Sequence, residues 1–305
     1  PLLSQIPDPH RPLALDSFWA QTVRELAAVD PEPEFKSEPG ELPGTSLVHF
    51  SFNSLAGTRI GGYLIEWDDA ESRPLVVHSH GYGSPGADIE WQWAAAGLRV
   101  AGIDVRGYGR SASALSDQSP WGYILSGIDS AEGSVLRGAI CDLWRGCEVV
   151  REHLGPRRVS QRVLHGWSFS GGLATIVQAL SSFADLLVLA VPSLGWTAAR
   201  RVLAEAGSGA EIDAYLERYP DREAQTLEVL SHFDAANFAE LIECPAVIGI
   251  GTADAVVPPE AVMAIASRMR GPKELIQLPQ SHTDGVEERL WQGFEQHWLK
   301  RVSDA

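Results

Sequence analysis

The chain has 305 residues with 45% apolar side chains, enough for an extensive core, and its 29 Gly and 19 Pro are scattered without a period, which excludes collagen-like and low-complexity chains. A formal net charge of −16 repels phosphate backbones and anionic headgroups, so neither nucleic acid nor a membrane surface is expected as a partner. The longest apolar runs, such as 186–191, fall far short of the roughly 20 residues a membrane helix needs.

Residues 1–45 are rich in Pro and carry one helical stretch, opened by Asp16 as N-cap and bearing Phe18, Val23, Leu26 and Ala27 at helical spacing; they read as an extension that wraps the core. Leu47, His49 and Ser51 then alternate with Val48, Phe50 and Phe52, and after 53–57 the run 59–67 alternates again, which predicts an antiparallel hairpin. From there short unbroken apolar strands alternate with helical patterns: 75–79, 98–103, 162–166, 186–190, 246–251 and 274–278. That rhythm predicts an α/β fold, a mostly parallel sheet with helices on both faces, which binds ligands at the carboxyl ends of its strands. Between 192 and 241 the rhythm is interrupted by residues that look helical, including 210–218 and 221–230, read as a small helical cap insertion over the sheet edge. An amphipathic helix from about Gly285 closes the chain, with Leu290, Trp291, Phe294 and Trp298 facing inward. With no internal repeat, 1–305 reads as a single domain.

The chemistry is carried by strand ends. The strand at 162–166 runs into Trp167-Ser168-Phe169-Ser170-Gly171-Gly172 and at once into a helical pattern, the strand, sharp turn and helix of a nucleophile elbow. The turn strains the serine backbone, so its neighbours two residues away must be small; Gly166 and Ser170 meet that need for Ser168. A register centred on Ser170 is the alternative, and Ser168 is favoured because the strand should end just before the elbow. The strand at 246–251 leads to Asp254 ahead of Pro258-Pro259, and the strand at 274–278 leads to His282 ahead of the last helix, giving the order Ser, acid, His. Asp284 is a rival acid, but it lies two residues from His282 and reads better as an N-cap. A serine hydroxyl needs an imidazole to accept its proton, and a buried carboxylate to hold that imidazole in the right tautomer. Two oxyanion donors complete the set: the N–H of Phe169, which follows the nucleophile, and the N–H of Tyr82 in the Gly-rich loop 80–84. His80 reads as a structural hydrogen-bonder, and Arg106, in the Gly-rich loop after 98–103, as a brace for neighbouring carbonyls or carboxylates. Trp167, Trp121 and Trp196 lie in segments that could line the substrate pocket. Cys141, Cys147 and Cys244 form no Cys-x-x-Cys pair and read as small buried hydrophobes, so neither a disulfide nor a metal is expected, and the triad needs no cofactor.

Together these pieces resemble the acetyl xylan esterase and cephalosporin C deacetylase family, carbohydrate esterase family seven, a branch of the α/β-hydrolase superfamily. The likeness runs through Leu15-Asp-Ser-Phe-Trp19, His80-Gly-Tyr82, Asp104-Val-Arg-Gly107, Gly127-Ile-Asp129, Arg137-Gly138, Ser168 to Ala174, Phe233-Asp-Ala-Ala-Asn-Phe238, Cys244-Pro245 and Asp254-x-x-Val-Pro-Pro259. It departs where the family's Arg-Gly-Gln-Gly is Arg106-Gly-Tyr108-Gly, where Gly-x-Ser-Gln-Gly is Gly166-Trp-Ser168-Phe-Ser170, and where His-Glu is His282-Thr283. The resemblance implies an esterase that removes acetyl or other short acyl groups from a sugar or small-molecule alcohol, and a homo-oligomer, commonly a doughnut-shaped hexamer. A lactone, amide or carbon–carbon bond as target, and a non-catalytic binding protein on the same scaffold, stay open as alternatives. No signal peptide is visible and the cytoplasm is preferred, although the sequence starts at Pro1 and leaves a processed start open.

Overall fold

The computed structural model describes residues 8–283 and 288–304. Nine strands form one sheet: β1 (Glu34–Pro39), β2 (Thr45–Asn53), β3 (Arg59–Trp67), β4 (Arg73–Ser79), β5 (Arg99–Asp104), β6 (Val159–Trp167), β7 (Leu186–Ala190), β8 (Ala246–Gly251) and β9 (Lys273–Leu278). Their spatial order is β1-β2-β3-β5-β4-β6-β7-β8-β9. The β2–β3 pair is the expected hairpin, and β3 joins β5 antiparallel; from β5 onward every pairing is parallel. The central strands are buried on both faces because helices cover both: Val76, Val100, Leu164, Leu187 and Ile248 are fully enclosed.

In chain order the helices are α1 (Leu15–Ala27), α2 (Trp91–Ala95), α3 (Val135–Leu154), α4 (Phe169–Ser181), α5 (Thr197–Leu203), α6 (Gly207–Arg218), α7 (Glu223–Ser231), α8 (Pro259–Ala266) and α9 (Glu288–Ser303). Helices α5 to α7 fill the interval between β7 and β8, and the bounds of α5 were not read from the sequence. Trp298 of α9 is completely buried, with Trp291 and Phe294 nearly so and Leu290 partly; Gly285 and Asp284 lie outside the described residues.

Two expectations for the first 45 residues are corrected. Helix α1 starts one residue before Asp16, with Ala14 in the N-cap position and no side-chain cap. Asp16 instead lies in the first turn, where its carboxylate favours the helix dipole and accepts from Arg11 at 2.7 Å. The segment also holds a strand: β1 pairs antiparallel with β2 along its whole length. All six of its residues are exposed, so no buried face gave it a periodic signature.

Candidate active site

The elbow follows from its local sequence. Strand β6 ends at Trp167 and α4 begins at Phe169, leaving Ser168 alone between them with φ 53° and ψ −112°. A non-glycine residue held there stores strain of about 1–3 kcal/mol, which persists only where the surroundings enforce it. Gly166 is part of that enforcement, since a Cβ on it would lie 2.5 Å from Gly171 Cα and 2.6 Å from the Ser170 carbonyl oxygen. Ser168 occupies the N-cap position of α4, yet its side chain makes no capping hydrogen bond. Ser170 is committed elsewhere: its hydroxyl accepts from the Trp167 N–H at 2.9 Å, contacts the carbonyls of Trp167 and Ser79, and is fully buried. The turn is therefore centred on Ser168.

Asp254 follows β8 and His282 follows β9, so both stand at carboxyl ends of neighbouring parallel strands. They meet directly, with His282 Nδ1 2.5 Å from Asp254 Oδ2. The other oxygen, Oδ1, accepts from the amides of Val256 and Val257 at 2.9 Å each and from the Ser281 hydroxyl at 3.3 Å. Burial opposes ionisation of Asp254, but the hydrogen bond and charge of His282 and those two amides outweigh it and hold the carboxyl below the usual carboxylate range. With Nδ1 occupied, Nε2 is the ring nitrogen left to exchange a proton. Trp167, adjoining Ser168, places its ring 6.3 Å from that of His282 and 5.0 Å from Trp291. Among the described residues no hydrogen bond joins the Ser168 hydroxyl to His282; such contacts commonly tighten only when substrate binds.

Phe169 opens α4, so its N–H is one of the four amides that a helix leaves without a partner of its own. Its side chain is buried beneath the site, meeting Tyr82 and Tyr123 edge-on at 5.6 and 5.8 Å, with Tyr108 and His80 beside it. That ring therefore packs against loop 80–84 through Tyr82 and His80. Tyr82 lies in that loop, between Gly81 and Gly83, the latter at φ 71°. His80 has the structural role read for it, accepting from the Val105 N–H at 3.3 Å, and burial lowers its pKa. Arg106 braces a carboxylate, Asp142, which it clasps through Nε at 2.9 Å and Nη2 at 2.8 Å.

The three tryptophans part company. Trp167 adjoins the elbow, whereas Trp121 packs edge-on against Tyr215 and Tyr219. Trp196 lines a separate cavity of about 310 Å³ with Met263, Ala264 and Arg268. Among the described residues there is no group of three or more His, Cys, Asp or Glu side chains placed to hold a metal ion, and no helix is long and apolar enough to cross a membrane.

A parallel sheet flanked by helices, with Ser168 in a strained elbow and a carboxylate–imidazole pair on the last two strand ends, defines the α/β-hydrolase fold. The model of the acetyl xylan esterase family matches residues 5–300, and the chain belongs to that family; it is a serine carboxylic ester hydrolase that removes acetyl groups. The same fold is found in acetyl xylan esterase 1 from Thermoanaerobacterium sp. JW/SL YS485, at 23% identity over 97% of this chain and 96% of that one, TM-score 0.85. It recurs in the acetyl xylan esterase from Paenibacillus sp. R4, at 22% identity over 97% of both chains, TM-score 0.85. A cold-adapted esterase from an Arctic intertidal metagenomic library is more distant, at 15% identity over 88% of this chain and 97% of that one, TM-score 0.60.

Proposed function

We propose that Ser168 is the nucleophile, His282 the base and Asp254 the acid of this esterase, and that the substrate is an acetyl ester of a sugar or small alcohol. The reading is carried by the 2.5 Å contact of Asp254 with His282 Nδ1, which leaves Nε2 to take the serine proton. In the first half-reaction Ser168 Oγ attacks the ester carbonyl while its proton passes to Nε2, and the N–H groups of Tyr82 and Phe169 receive the developing oxyanion. Collapse breaks the bond to the alcohol, which leaves with the proton from Nε2. Water then gives its proton to Nε2 and attacks the acetyl-serine, and acetate departs as Oγ recovers the proton. Trp167 borders the reacting centre, and helices α5 to α7 act as a cap. An assembly of several copies belongs to the same proposal and rests on the family resemblance; sedimentation velocity tests it.

Ser168→Ala should abolish turnover of p-nitrophenyl acetate, and a fluorophosphonate probe should label wild-type protein at Ser168 and leave Ser170 unmodified. Wild-type turnover by Ser168→Ala, or label on Ser170, would overturn the assignment.

A further inference from the structure

Tyr82 is held from outside its own loop. Its phenolic O–H donates to Glu211 Oε2 at 2.5 Å, and the Ile124 N–H donates to the phenolic oxygen at 3.4 Å. Glu211 belongs to α6, 129 residues further along the chain. Its carboxylate rests on Gly122: a Cβ there would lie 2.1 Å from Oε2, so a side chain at that position would displace the carboxylate. Helix α6 is fixed against the same stretch, because Tyr215 and the following Tyr219 close edge-on over Trp121 at 6.1 and 5.8 Å. Among the described residues Glu211 has no arginine or lysine ion-pair partner, so its hydrogen bond to Tyr82 is not a by-product of surface charge pairing.

This geometry matters because the Tyr82 backbone N–H is assigned as an oxyanion donor. An oxyanion donor is effective only when pre-aimed to within tenths of an ångström, so that nothing reorganises as charge develops. Loop 80–84 has glycine on both sides of Tyr82, and its other tethers sit at its ends: His80 contacts the Gly81 carbonyl at 3.1 Å and accepts from the Val105 N–H at 3.3 Å, and the Ser84 hydroxyl donates to the Gly81 carbonyl at 3.0 Å, while nearer Tyr82 there is a long contact from the Gly83 N–H to Tyr108 at 3.4 Å. The bond at the far end of the Tyr82 ring is the shortest of these contacts and the one that ties the loop to α6.

We propose that Glu211 is a positioning residue for the oxyanion hole: through the Tyr82 hydroxyl it fixes the 80–84 loop, and so makes the helical segment between β7 and β8 part of the catalytic apparatus. The inference rests on the assignment of Tyr82 as an oxyanion donor. Phe169, on α4, needs no such tether, since a helix already orients its N–H.

The test uses the full-length enzyme and four variants: Tyr82→Phe, Glu211→Ala, Glu211→Gln and Tyr82→Phe/Glu211→Ala. Removing a charge-assisted hydrogen bond that acts only on the transition state should lower kcat for p-nitrophenyl acetate about tenfold with KM unchanged. Tyr82→Phe and Glu211→Ala should each show that loss, the double variant no more than either, and Glu211→Gln, which keeps an acceptor, should recover most of it. Affinity for a trifluoromethyl ketone, which loads the oxyanion hole, should fall in parallel. Wild-type kcat and ketone affinity in Glu211→Ala, a loss confined to KM, or a Glu211→Gln as impaired as Glu211→Ala overturns the proposal. Should Glu211→Ala fail to fold, Tyr82→Phe decides, because wild-type kcat there has the same force. Ser168→Ala, measured alongside, separates the levels: if it is active the catalytic reading fails, and if it is inactive while Glu211→Ala is unaffected only the positioning role does.

Discussion

Replacing Asp254 by Asn changes one atom and should nearly stop the enzyme. Oδ1 keeps its work, since an amide oxygen accepts from Val256, Val257 and Ser281 as a carboxylate oxygen does. At Oδ2 an NH₂ group would face two donors, the His282 backbone N–H at 3.3 Å and Nδ1 at 2.5 Å. The ring relieves the clash by moving its proton to Nε2, where it can no longer accept from Ser168. A wrong tautomer of this kind costs about 10⁴ in kcat, roughly 5 kcal/mol of barrier at 1.36 kcal/mol per decade. Initial rates on p-nitrophenyl acetate, with circular dichroism and thermal melting as checks on folding, measure it. A folded Asp254→Asn with kcat within about tenfold of wild type refutes the reasoning and returns the role to Asp284.

Three further outcomes concern the scaffold. Gly166→Ala drives a Cβ to 2.5 Å from Gly171 Cα and should cost about 1–3 kcal/mol in urea unfolding while reducing esterase activity. Arg106→Leu leaves the fully buried Asp142 carboxylate without its cation, and should destabilise by about 3–5 kcal/mol in the same assay. Burial pushes the pKa of His78 down to about 4 and that of His165 to about 3. Both lie below the unfolded value of about 6.5, so this stability is complete above that pH and drains away as pH falls through the folded values. Unfolding free energy measured against pH should decline below about 6.5, and a decline confined to pH values under 4 would contradict it.

Sequence and structure agree most closely where the signal is local. Strands β7 and β8 are unbroken apolar runs, and their bounds match the expectation residue for residue. The placement of Ser168, Asp254 and His282 was legible for a related reason: each is a polar residue in the turn that follows a strand, β6, β8 and β9 in order. What stayed hidden depends on distant partners. Helix α5 starts where Asp234 accepts from the Trp196 and Thr197 amides at 2.9 and 2.7 Å, a cap supplied 37 residues away in the Thr197 case. Glu211 and the Asp142 partner of Arg106 are also long-range, 129 and 36 residues from the groups they hold, and no spacing rule joins a glutamate to a tyrosine across three strands and several helices. Strand β1 was missed for the opposite reason, having only exposed residues to display.

That strand has a colloidal consequence. An outer strand offers a free row of amides and carbonyls, a template on which a second chain can crystallise as fibre. Here the row carries Glu34, Lys36 and Glu38 and ends at Pro39, which has no N–H to donate. At the opposite margin β9 presents Lys273 and Glu274, the latter also gripped by Arg301 and His297. Any chain laid along either margin would have to desolvate charge before gaining a ladder bond, which disfavours both edges of the nine-stranded sheet as templates for a further strand.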